Sequence, residues 1–144
     1  MKIQRMTPQH LDGALKIENE CFSHPWSRES LLSELNNPNS VFIAALENDE
    51  VIGYIGMSAV IDEGYIFNVA VTESERGRGV GSALIRELVT HCKKNNFAFV
   101  TLEVRESNAT AISLYSNFGF IKVGERKNYY RDPEENAVLM TKYF

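Results

Sequence analysis

The sequence has few cysteines, prolines, histidines and tryptophans. Among its 144 residues are two cysteines, four prolines, three histidines and one tryptophan. Cys21 and Cys92 are far apart and each falls on the apolar stripe of a predicted helix, so we expect buried free thiols in a reducing compartment rather than a disulfide scaffold. His10, His24 and His91 lack the spacing of metal ligands, and we therefore predict no metal site.

Long hydrophobic runs and a strong excess of one charge are also missing. The longest nearly apolar run, residues 51–61, is much shorter than the roughly 20 residues that a membrane span requires. Residues 1–6 alternate in polarity and lack the apolar core of a signal peptide. A net charge of −4 argues against a protein that binds a phosphate backbone. We expect a soluble cytoplasmic protein with no nucleic-acid or membrane partner.

No internal repeat, low-complexity tract or linker divides the chain. Its length and its ordinary hydrophobic fraction of 44% predict a single domain over residues 1–144, large enough to bury a core. The sequence carries no indication of oligomeric state.

The most informative segment is the glycine-rich stretch from Arg76 to Gly81. It follows an apolar, strand-like run at residues 65–71 and precedes a helical run at residues 80–92. Glycines leave the backbone bare, so an anionic group can approach the amide N–H groups that open the helix. The helix N-terminus adds a partial positive charge, and Arg76 and Arg78 add two formal charges. This combination suits a pyrophosphate.

Hydrophobic periodicity predicts the element order βααβββαβαββ. Three consecutive strands separated by short turns indicate an antiparallel meander, and the strand after the glycine-loop helix should run parallel to its predecessor. The fold class is therefore α/β (α+β), with a mixed, mostly antiparallel sheet of six to seven strands and helices on both faces. The predicted strands are 2–6, 41–46, 51–61, 65–71, 97–104, 120–123 and 137–143, and the predicted helices are 11–22, a short one after Ser27, 80–92 and 108–118.

Three polar residues downstream of the glycine loop are candidates for chemistry. Glu103 falls inside an apolar strand, so it either faces a solvated side or is a carboxylate held in a partly dry cleft. Asn108 lies at the start of the next helix, and Tyr115 follows two turns later on the same face. If that helix packs beside the glycine-loop helix, all three converge on one crevice.

The motifs resemble those of a known enzyme family. Arg76, Gly79 and Gly81 match the Q/R-x-x-G-x-G/A loop of the GCN5-related N-acetyltransferases (GNAT), although Gly77 stands where a second side chain often follows. Other segments resemble the bacterial RimI branch, whose members acetylate the N-terminal alanine of a small-subunit ribosomal protein. The resemblance covers nearly the whole chain and implies the GNAT fold. The segments are 24–27, 68–71, 102–108, 111–115, 118–120 and 126–130.

This resemblance implies a role for each candidate residue, with acetyl-CoA as cosubstrate. Glu103 would take a proton from the acceptor amine, Tyr115 would protonate the departing thiolate, and Asn108 would bond to the pantetheine arm. The acetyl and pantetheine part would meet the backbone of Val69, Ala70 and Val71. The pyrophosphate would be held by Arg76, Gly77, Arg78, Gly79, Val80, Gly81 and Ser82.

The acceptor side is less specified. Trp26 is either a core aromatic at a helix start or a wall of an acceptor-peptide groove. Tyr129 and Tyr130 are adjacent and cannot both face one side of a strand, so we expect one of them to line the mouth of the site. The N-terminal peptide of a ribosomal protein is the implied partner.

Three other functions remain as alternatives. A GNAT enzyme could instead acetylate a small amine, another protein N-terminus or a lysine. A dinucleotide-binding oxidoreductase is disfavoured because its G-x-G-x-x-G pattern requires glycine or alanine where Ser82 stands. A CoA-sensing module without catalysis is disfavoured by the presence of both Glu103 and Tyr115.

Overall fold

A computed structural model describes all 144 residues. Seven strands form one sheet in the order β1-β2-β3-β4-β5-β7-β6, and the predicted order of elements and the mixed, mostly antiparallel sheet are confirmed. The strands are β1 (Lys2–Arg5), β2 (Ser40–Glu47), β3 (Glu50–Val60), β4 (Glu63–Val71), β5 (Phe99–Arg105), β6 (Ile121–Tyr130) and β7 (Glu135–Tyr143). The helices are α1 (Leu11–Cys21), α2 (Arg28–Leu35), α3 (Val80–Lys94) and α4 (Ala109–Asn117), and short 3₁₀ turns cover Pro8–His10 and Glu73–Glu75.

The sheet opens between its two parallel strands. β4 and β5 pair only from Glu63 opposite Phe99 to Tyr65 opposite Thr101. Beyond that point β4 stays paired with β3 as far as Val71, while β5 stays paired with β7. The two strands therefore part, and the edge of β4 that faces β5 has no strand partner after Tyr65. Such an edge offers backbone donors and acceptors to a ligand.

Helices cover both faces of the sheet, as predicted. One apolar core lies under α3, which contributes Leu84, Ile85 and Leu88. The other lies under α1 and α2, with Leu11 and Leu31 among its buried residues. Strand β5 alternates cleanly between the two faces: Val100, Leu102 and Val104 belong to the α3 core, so Thr101, Glu103 and Arg105 point to the opposite face.

Three expectations from the sequence need correction. Strand β6 runs to Tyr130, whereas the sequence predicted a strand ending at residue 123 and then a polar loop. It is an exposed edge strand whose residues pair mostly with buried positions of β7. Because most of its own residues are polar, the sequence pattern does not indicate a strand. Cys92 is buried as expected but Cys21 is only half-buried, although both thiols are free. Asn108 caps α4 instead of lying within it.

None of the helices is both long and apolar enough to cross a membrane.

Candidate active site

The glycine loop ends in a helix start whose amides are free. Gly77 and Gly79 both have φ of +80°, a backbone conformation that glycine adopts without a steric penalty. The first backbone hydrogen bond of α3 runs from Ala83 N to Gly79 O at 3.0 Å, and the N–H groups from Gly77 to Ser82 have no acceptor within the protein. Consecutive free donors at a helix N-terminus form an anion-binding surface.

The two arginines of this loop are engaged within the protein. Arg76 donates from Nε to the carbonyl oxygen of Val71 at 3.1 Å and from Nη2 to the sulfur of Cys21 at 3.2 Å. Arg78 forms an ion pair with Glu75. Arg76 therefore fixes the loop to the end of β4 and to α1, Arg78 pairs with the preceding 3₁₀ turn, and the backbone amides are the free donors. The sequence did not reveal this division.

The predicted acyl-binding segment, Val69 to Val71, follows a bulge in β4. Gly56 pairs with Asn68, but the next residue of β3, Met57, pairs with Ile66. Phe67 is the extra residue, which puts it and Asn68 on the α1 side together. A bulge bends its strand and increases its twist. It lies where β4 leaves β5, and so contributes to the opening of the cleft.

Glu103 lies two residues beyond the last β4–β5 pair. Its side chain is 29% exposed and accepts a hydrogen bond from Arg126 Nε at 3.1 Å. Hydrogen bonding to the same carboxylate raises the pKa of Tyr129. Burial raises the pKa of Tyr130, and Glu103 and Tyr115 are both close enough to raise it further. Glu103, Tyr115 and Tyr129 therefore all lie near Tyr130.

Tyr115 is almost fully buried on α4. Its ring packs 5.8 Å from that of Phe120, and burial raises the pKa of Tyr115 to about 12. The hydroxyl group has no hydrogen-bond partner in the protein, yet it is not among the enclosed atoms that lack one. It can therefore bond to a group in the crevice. Asn108 is exposed, and its Oδ1 accepts from Ala111 N at 3.1 Å, which leaves the side-chain NH₂ group free.

A buried carboxylate was missed by the sequence analysis. Glu18 has no exposed surface. It accepts from Trp26 N at 3.0 Å, from Asn68 Nδ2 at 3.0 Å and from the Tyr54 hydroxyl. It therefore joins the α1–α2 loop to the β4 bulge. Trp26 is half-buried and packs edge-on against Phe67 at 5.4 Å. The only available signal was a glutamate next to the apolar stripe of α1.

The α1–α2 loop also touches the loop between β6 and β7. Ser23 Oγ donates to the carbonyl oxygen of Asp132 at 2.8 Å, and His24 Nε2 lies 2.6 Å from Asp132 Oδ2. These two loops are remote in sequence, and no local pattern predicts their contact. No group of three or more histidine, cysteine, aspartate or glutamate side chains is arranged to hold a metal ion.

Comparison with known proteins identifies the family. The model of the acetyltransferase (GNAT) family matches residues 11–120. The chain is 33% identical over 140 residues to the [ribosomal protein bS18]-alanine N-acetyltransferase of Escherichia coli (strain K12), covering 96% of this chain and 94% of that protein. It is 36% identical over 133 residues to the Haemophilus influenzae protein of the same name, covering 89% of this chain and 88% of that one.

The crystal structure of the ribosomal-protein-S18-alanine N-acetyltransferase from Escherichia coli superimposes with a TM-score of 0.92 at 31% identity, covering 99% of this chain and 92% of that one. The resemblance inferred from the motifs is confirmed. The chain belongs to the acetyltransferase (GNAT) family and is an N-acetyltransferase with acetyl-CoA as its cosubstrate.

Proposed function

We propose that the protein, acting as one domain over residues 1–144, acetylates the N-terminal alanine of a small-subunit ribosomal protein of the bS18 type. The names and the identity of its relatives over most of their length support this acceptor. The structural observation that carries the proposal is the parting of β4 from β5. It opens a cleft with free amides near the end of β4 and Glu103 on β5. An acceptor of this kind would place the enzyme in the cytoplasm.

The residues present fit acetyl-CoA, which supplies an activated acetyl thioester. The free amides from Gly77 to Ser82 can donate to the oxygens of a pyrophosphate, and the helix N-terminus favours its negative charge. Gly81 also lets α4 approach, since a Cβ there would lie 3.3 Å from Leu114. We assign the backbone of Val69 to Val71 to the acetyl and pantetheine part, and the free NH₂ group of Asn108 to the pantetheine arm.

Glu103 is the proposed general base. An α-amino group has a pKa of about 7.7 to 8.0 and is mostly protonated at neutral pH, so a carboxylate is needed to collect its proton. The ion pair with Arg126 has to open as the amine arrives, because both cations compete for the same oxygens. The amine nitrogen then forms its bond to the acetyl carbon, and the bond from that carbon to sulfur breaks.

Tyr115 is the proposed donor to the departing sulfur. Its pKa of about 12 keeps the phenol protonated at neutral pH. An ordinary thiol has a pKa of about 8.5, so complete proton transfer to the thiolate would be uphill by roughly 5 kcal/mol. We therefore assign Tyr115 a hydrogen bond that stabilises the partly charged sulfur as the bond breaks, with solvent completing the protonation. A backbone N–H on the free edge of β4 would stabilise the thioester oxygen.

The direct test is acetyl transfer to a hexapeptide that begins with alanine, followed by mass spectrometry. We expect one added acetyl group on the α-amine and none on spermidine or on a blocked peptide carrying a lysine. Glu103→Gln and Tyr115→Phe should each reduce turnover at least ~100-fold while binding of acetyl-CoA persists in calorimetry. Glu106→Gln changes an exposed neighbour in the same way and should leave turnover intact. Transfer to spermidine alone would contradict the proposed acceptor.

A further inference from the structure

Arg105, at the end of β5, binds the loop between β6 and β7, which we define as residues 131–134. Its guanidinium donates to the carbonyl oxygen of Pro133 at 2.9 Å and to that of Arg131 at 3.0 Å. It also pairs with Glu135 at 3.2 Å and lies 4.5 Å above the ring of Tyr130. A rigid, planar group with several donors is required for all these contacts together.

This loop has few other attachments to the sheet. The β6–β7 ladder shifts register between Lys122 and Gly124 and again between Arg126 and Tyr130, and it ends where Tyr130 pairs with Glu135. Residues 131–134 lie beyond that last pair. Glu135 extends the same cluster, since its Oε2 accepts from Ser107 N at 2.6 Å. Arg105 and Glu135 therefore connect the loop to the end of β5 and the start of α4.

The far side of the loop contacts the α1–α2 loop through Asp132, as described above. The side chains of His24 and Asp132 are 68% and 71% exposed, and a pair this exposed contributes little by itself. It can hold the two loops together only if residues 131–134 are already fixed. That fixing comes from Arg105, which lies on the same face of β5 as Glu103 and two residues after it.

We propose that Arg105 is a positioning residue for the acceptor: it holds residues 131–134 and Tyr130 as a preformed wall beside Glu103. This inference rests on the proposed function, because it assumes that a peptide amine reaches Glu103 from this side. A loop that is already ordered before binding does not have to be ordered by the acceptor, and the affinity for the acceptor is higher as a result.

The test is Arg105→Lys, which keeps the positive charge but loses the planar fork and the ring contact. We expect the KM for the alanine-first hexapeptide to rise roughly tenfold or more, with the KM for acetyl-CoA and kcat unchanged. Hydrogen–deuterium exchange of residues 128–136 in the free enzyme should become faster. Arg86→Lys is the matched control, since Arg86 on α3 also lies over an aromatic ring, that of Phe118 at the C-terminal end of α4.

Each result has a defined meaning. A peptide KM equal to that of the wild type overturns the positioning role even if exchange is faster, because Arg105 would then be only structural. Equal rises in both KM values would overturn it as well. Failure of the proposed function is distinguishable, since the wild type would then not acetylate the peptide. In that case unchanged exchange in Arg105→Lys would still overturn the anchoring of the loop.

Discussion

Replacing Glu18 by glutamine is the sharpest test of how the cleft is held together. The substitution preserves the size of a fully buried side chain but replaces one carboxylate oxygen with an NH₂ group. Glu18 now accepts from three donors, with Trp26 N on one oxygen and Asn68 and Tyr54 on the other. Whichever way the amide turns, at least one donor faces another donor.

The size of the effect follows from that mismatch. A buried donor without an acceptor costs about 1 to 3 kcal/mol. Two effects limit this cost. Removing a buried charge recovers part of the free energy spent on desolvating it. The Tyr54 hydroxyl can also rotate to accept from the new amide, so only one donor is left unpaired. We expect Glu18→Gln to lower the free energy of unfolding by about 1 to 3 kcal/mol, equivalent to roughly 3 to 10 °C in Tm.

Urea denaturation followed by circular dichroism measures this change. Glu87→Gln, the same substitution on the exposed face of α3, should leave the midpoint unchanged. In a double-mutant cycle with Tyr54→Phe, we expect a coupling free energy of at least ~0.5 kcal/mol, because the two groups share one hydrogen bond. A Glu18→Gln protein as stable as the wild type, or strict additivity in the cycle, would refute the assigned network.

Three further predictions concern other parts of the site. Burial raises the pKa of Tyr115 to about 12, so as the pH rises the tyrosine of the unfolded chain loses its proton before that of the folded protein. The free energy of unfolding of the wild type should therefore fall by about 1.4 kcal/mol between pH 9 and 11. Tyr115→Phe should not show this loss when the urea midpoints are compared. Gly79→Ala places a side chain at φ of +80° and should weaken acetyl-CoA binding roughly tenfold in calorimetry, whereas Gly124→Ala, with open space around it, should not. Iodoacetamide should label the half-buried Cys21 much faster than Cys92, because Cys92 has no exposed surface and burial raises the pKa of its thiol to about 11. Peptide mass spectrometry resolves the two sites, and equal labelling would contradict the burial of Cys92.

Much of the fold is predictable because its core elements repeat at visible periods. Helix α3 places its buried residues on one face, and the predicted start at Val80 is confirmed. Strands β2, β3 and β4 are separated by short polar turns, which predict the meander. At Gly119 the φ of +90° confirms the glycine expected just after α4. In each case the information lies within a few neighbouring residues.

The features that sequence reasoning missed depend on contacts between distant segments. Strand β6 is polar because it lies at an edge, and only its pairing with β7 makes it a strand. Glu18 looks like a surface residue until Trp26 and Asn68 are placed around it. Arg76 seemed available for an anion, but the end of β4 and Cys21 both lie within its reach. No local pattern encodes such partners.

The α1–α2 loop and the β6–β7 loop, which we propose to lie on the acceptor side, are held by different polar anchors, so damage to each anchor should have a different effect. Glu18 is completely buried and bonds to the β4 bulge as well as to the α1–α2 loop, so damage to it should reduce the stability of the whole protein. Arg105 is 29% exposed and mainly holds a surface loop, so damage to it should reduce acceptor affinity with little loss of stability. Because the loops meet at Asp132, the proposed acceptor wall would need both anchors to be rigid, whereas we expect the fold to need only Glu18.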